Sequence, residues 1–132
     1  LYQGCYVLTN DGTTVTLLSP NEVAIGTKRT DFATTADMES TLAQCIAETA
    51  VEGINSWRLP TQAELNRMYS NMDAINAAFS TDGTPLTSAR KYLYSDSEGQ
   101  VLARTLSMPD MEGLENFPAN AYVRPVAIIT KQ

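Results

Sequence analysis

The side chains able to do chemistry are few, and their omissions are informative. The 132-residue chain contains no histidine, so neither a Ser-His-Asp nor a Cys-His arrangement can be assembled. A zinc site would need two cysteines plus carboxylates, an uncommon set. Cys5 and Cys45 do not form a Cys-x-x-Cys motif, and a cysteine midway along a helix gets no help from the helix dipole in becoming a thiolate. Two readings are left for them. In an exported domain they would form a strand-to-helix disulfide, worth about 3–5 kcal/mol in the chain-entropy model. Otherwise they pack as two small apolar side chains.

The carboxylates come next. Asp96 and Glu98 flank a turn, whereas Asp110, Glu112 and Glu115, with Asn116, lie in a late loop over 108–120. Oxygen ligands on irregular backbone suit calcium, but no Asp-x-Asp-x-Asp-Gly loop occurs, and solvated surface charge is the favoured reading. Glycoside cleavage by paired carboxylates would need a cleft and a fixed separation. Tyr92 and Tyr94 alternate along a strand and so share one side of it. They suit a sugar-binding face, each ring offering apolar area and a polar tip. They equally suit core packing, the commoner fate of aromatic residues.

Bulk composition narrows the partners. The net charge is −6, with 43% hydrophobic and 18% charged residues, ordinary for a globular domain. The basic residues are scattered apart from Lys28-Arg29 and Arg90-Lys91. This excludes the basic stripe that nucleic acid requires and argues against anionic lipid surfaces. No apolar run approaches the roughly 20 residues that span a bilayer. Neutral or carbohydrate-like partners fit better than polyanions. The chain opens on Leu1 with no signal-peptide pattern, as expected of a processed or trimmed polypeptide, so export is not argued against.

The elements that must position these groups can be read from periodicity. Residues 4–9 and 13–18 predict a hairpin across Asn10-Asp11-Gly12, and Val23-Ala24-Ile25 a short third strand. A first helix starts near Thr34 or Thr35 and buries Met38, Leu42, Cys45, Ile46 and Thr49, with Gly53 as its stop. In Thr61-Gln62-Ala63-Glu64 the Thr-x-x-Glu spacing is that of a capping box, with Pro60 outside the helix. Behind it Leu65, Met68, Tyr69 and Met72 make one helical face, and Trp57 and Leu59 precede the cap, placed to pack on the start of that face. A short helix over 73–79, strands over 92–95 and 100–106, and a closing strand over 121–130 follow. Pro125 in that last run requires a bulge or an unpaired position. Arg58 and Arg124 are read as structural, forking onto loop carbonyls or carboxylates such as Glu64 or Glu98.

Three segments also carry a family likeness. Trp57-Arg58-Leu59-Pro60-Thr61 with Glu64-Leu65, Tyr92-Leu93-Tyr94-Ser95-Asp96-Ser97-Glu98, and Tyr122-Val123-Arg124-Pro125-Val126 resemble, in order, the marks of the Lcl C-terminal domain family. That family takes its name from the end of collagen-like bacterial adhesins. The resemblance implies an α+β, C-type-lectin-like fold: two main helices packed on a mostly antiparallel sheet, with first and last strands paired and usually no calcium site. The lectin calcium motifs Glu-Pro-Asn and Trp-Asn-Asp are absent. Formylglycine-generating enzymes share this core but need reactive cysteines late in a larger domain, whereas both cysteines here fall in the first half.

The expectation is therefore one domain over residues 1–132, part of a longer exported protein. It acts as a non-catalytic, extracytoplasmic binding or adhesion module for a surface glycan or protein, without cofactor, nucleic acid or membrane insertion. Its ligand would meet Tyr92, Tyr94, Asp110, Glu112, Glu115 and Asn116. The rivals are an architectural domain of a pilus-like assembly and a small carboxylate-based glycan-active enzyme.

Overall fold

The computed structural model describes residues 3–80, 83–106 and 116–130. Those residues form an α+β arrangement of three helices and two four-stranded sheets. Strands β1 (Tyr6–Asn10) and β2 (Thr14–Leu18) make the expected hairpin. Its turn is built by side chains: Asp11 Oδ1 accepts from the backbone N–H of Thr13 (2.9 Å) and Thr14 (2.6 Å), and Gly12 takes the positive φ of 91° that glycine adopts without steric cost.

The first sheet runs β1-β2-β8-β4, with β8 over Val126–Thr130 and β4 over Trp57–Arg58, all antiparallel. The last strand thus pairs with the second strand, Thr14↔Thr130 through Leu18↔Val126, and not with the first. The correction follows from the hairpin: one edge of β2 is taken by β1, so its other edge receives β8 and β1 is left outermost. Ile128 is exposed while Val126 and Ala127 are buried, so the inner end of β8 is its earlier end.

The second sheet runs β3-β7-β5-β6: Val23–Ala24, Tyr122–Val123, Lys91–Ser95 and Val101–Thr105. Its β5–β7 pair is parallel (Tyr92↔Tyr122) and its other pairs are antiparallel. Helix α1 (Thr35–Thr49) is capped by Thr34, whose hydroxyl accepts from Asp37 N. It lays Met38, Leu42 and Cys45 on one face of this sheet, against Leu93, Ala103 and Val123. Helices α2 (Gln62–Ser70) and α3 (Met72–Ala78) cover the other face with Leu65, Met68 and Ile75, against Tyr92 and Tyr94. A strand buried on both faces reads as a continuous apolar run, which accounts for Tyr92-Leu93-Tyr94. Burying each of Leu65 and Met68 contributes roughly 1.5–3 kcal/mol.

Two local expectations are corrected. Helix α1 ends at Thr49, with Ala50 already extended; Gly53, at φ 90°, turns the chain three residues later. Trp57 and Leu59 do not pack on α2. As part of extended chain, Trp57 joins Cys5, Val15, Leu17 and Ile54 on the outer face of the first sheet, and Leu59 joins the α1 cluster. The same division explains the cysteines. Cys5 belongs to that outer cluster and Cys45 to the interface of α1 with the second sheet, so the disulfide reading gives way to two free, buried thiols. Burial pushes Cys5 up to about 11 and, with help from the Glu48 charge, raises Cys45 as well.

Candidate functional site

The capping segment comes first because its expected chemistry is local. Thr61 Oγ1 accepts from Glu64 N (3.2 Å) and Glu64 Oε1 accepts from Thr61 N (2.8 Å), completing the capping box. The same carboxylate takes a two-pronged grip from Arg58, Nη1 to Oε1 at 2.7 Å and Nη2 to Oε2 at 2.9 Å. Burial works against the Glu64 charge, but the Arg58 fork and the Thr61 N–H outweigh it and hold the carboxyl below its usual range. Trp57 donates from Nε1 to Ile54 O at 2.9 Å. The Arg58 fork fastens β4 to α2.

Arg124 is structural too, by a route the sequence does not show. It sits between β7 and β8, fully buried, and donates through Nε to Ser19 O (2.7 Å) and through Nη1 to Glu22 Oε1 (2.6 Å). Its partner is neither Glu64 nor Glu98. Glu22 also accepts from Tyr92 Oη at 3.0 Å and from Arg90 Nη1. Burial, then the Glu22 charge, raises the Tyr92 phenol well above its ordinary range. Burial pulls Arg124 below its ordinary value, with Glu22 opposing. Glu22 is the residue that sequence reasoning missed. The signal available was indirect: a buried Arg in an apolar closing strand must find an acid somewhere.

Of the ligand-facing residues expected, Tyr92 and Tyr94 are both buried in the core between α2, α3 and the second sheet, so they offer no sugar-binding face. Asp110, Glu112 and Glu115 lie outside the described residues. Asn116 is exposed and lines a concavity of about 550 Å³ together with Arg29, Thr30, Phe32, Glu39, Gln100 and Leu102. Two features build it. The segment after Asn116 is strapped to the chain leaving β3: Arg29 N donates to Phe117 O and Gly26 N to Ala119 O, both at 2.9 Å, while the Phe32 and Phe117 rings meet edge to face at 6.5 Å. Opposite, the β5–β6 turn is tightened by Asp96, whose Oδ1 accepts from Glu98 N (2.9 Å) and Gln100 N (2.8 Å). Asp96 is thus a turn-forming acceptor.

The concavity mixes one base, one acid, amides and hydroxyls with the apolar Phe32, Met38 and Leu102. Among the described residues Glu39 is the one carboxylate in its lining, whereas acid–base cleavage of a glycoside uses a pair. Such a lining can hydrogen-bond a polar ligand and cover part of its apolar surface. Among the described residues no group of three or more His, Cys, Asp and Glu is arranged to hold a metal ion, and no helix is long and apolar enough to cross a membrane. No family model matches the chain, and neither curated sequences nor solved structures give a significant match.

Proposed function

We propose that this chain is a non-catalytic extracytoplasmic binding or adhesion module of a bacterial surface or secreted protein, with a C-type-lectin-like fold. The observation that carries the reading is the mixed polar and apolar concavity at the β5–β6 turn, where Asn116 meets the edge strand β6. Recognition by irregular segments held on a rigid sheet is a common use of such a scaffold. The lectin-like assignment is supported by the likeness of the three segments to the Lcl C-terminal domain family. A glycan or peptide of mixed polarity is the ligand class that the lining favours.

The test is a glycan and peptide array probed with the soluble domain, with and without calcium, beside an N116A/Q100A variant. Retention of defined ligands by the parent and their loss in the variant are the expected result. Binding that ignores the double substitution places recognition elsewhere. The architectural alternative is favoured by one observation, the exposed Val7 and Ile128 beside a second concavity on the first sheet. Silence across the whole array would move the reading there.

A further inference from the structure

The parallel pairing of β5 with β7 has a consequence at the opposite end of the second sheet. Because both strands run the same way, their N-terminal ends lie together. That brings Arg90-Lys91, the sequence's second basic doublet, beside Asn120 and Tyr122. With Thr87 and Ala89 these residues line a cleft of about 540 Å³. The Arg90 guanidinium lies over the Tyr122 ring at 4.1 Å and is anchored through Nη1 on Glu22, so its position is fixed before any ligand arrives.

The charges here do not balance. Glu22 is ion-paired with both Arg90 and Arg124, two cations on one carboxylate. Lys91 adds a third, with no ion-pair partner among the described residues. Arg124 Nη2 is buried without a hydrogen-bond partner among them. In a chain of net charge −6 this is a local positive excess, a setting that favours an anion. The remaining lining chooses among anions. Thr87 and Asn120 both donate and accept, as vicinal hydroxyls require, and only Ala89 and the Arg90-covered Tyr122 are apolar, leaving little for a peptide side chain.

We propose that this cleft binds a carboxylated saccharide unit of the uronic-acid type. Lys91 and the free edge of Arg90 take the carboxylate, and Asn120 and Thr87 take ring hydroxyls. The site is separate from the concavity at Asn116 and does not depend on it.

Amide NMR titration of the full chain tests this with three probes: glucuronate, glucose and acetate. Glucuronate is expected to move the signals of Lys91, Asn120 and Tyr122, glucose to leave them in place, and acetate to bind distinctly more weakly. Lys91→Gln should weaken glucuronate about tenfold, the loss expected for one charge-assisted hydrogen bond. Asn120→Asp, which adds a negative charge at the cleft, should weaken it at least as much. Spectral dispersion in each variant reports that the fold is kept. Equal shifts with glucose, equal affinity for acetate, unchanged binding in both variants, or no shift at tens of millimolar glucuronate would each overturn the assignment. Signals of Gln100 and Asn116 report the other concavity, so failure of one site is not mistaken for failure of the other.

Discussion

Two of the arginine–carboxylate clamps among the described residues differ in nearly every physical respect. Arg58–Glu64 joins residues six apart, with side chains 38% and 14% exposed. Arg124–Glu22 joins residues 102 apart, with side chains 0% and 1% exposed. The first reinforces a helix cap that would form without it. The second joins the start of β3 to the β7–β8 junction, and Arg124 without Glu22 would be a charge stranded away from water. The same two functional groups thus carry very unequal weight, because desolvation and chain separation set the cost of losing the contact.

The comparison is broken most directly at Glu22. Glu22→Gln leaves Arg124 buried opposite a neutral group, and we expect a loss of about 3–5 kcal/mol, read as a lowered urea midpoint. A loss below about 1 kcal/mol, the range of an exposed pair, would mean that the buried clamp behaves as a surface one. Thr61→Ala removes one side of the capping box and should cost about 1 kcal/mol. Arg58→Ala should cost the least, about 0.2–1 kcal/mol, and less at high salt.

The pH dependence sharpens the contrast. The folded Glu64 carboxyl lies below its ordinary value, so the unfolded chain binds the proton more readily. The stability contributed is complete above the ordinary carboxylate range and is lost as pH falls through the lower folded value. Urea midpoints taken across that acidic interval should therefore fall more in the parent than in Arg58→Ala. Parallel curves would show that Arg58 does not hold the carboxyl down.

What the sequence made legible follows the same division between near and far. The Asn10-Asp11-Gly12 hairpin, the Thr34 and Thr61 caps and the Arg58–Glu64 grip are all built from partners within a few positions. Local hydrogen-bond chemistry is enough to specify them. The errors occur where a distant element decides. Their place just before the cap points Trp57 and Leu59 at α2, but strand pairing with β8 and the packing of α1 claim them. The alternation of Tyr92 and Tyr94 was correct, yet whether their shared side met solvent depended on α2 and α3 covering it. At the candidate site, Asn116 lines a concavity beside β6, while Asp110, Glu112 and Glu115 fall outside the described residues. The Arg90-Lys91 cleft was not legible, since nothing local announces a parallel β5–β7 pair.

The short stretch Tyr122–Thr130 serves both sheets, supplying β7 to one and, past Arg124-Pro125, β8 to the other. Neither layer can be completed while that stretch is still inside a ribosome, so folding during synthesis must wait for it. Until it arrives, the open edge of the N-terminal hairpin is available to other chains, a hazard expected of late-closing β-topologies.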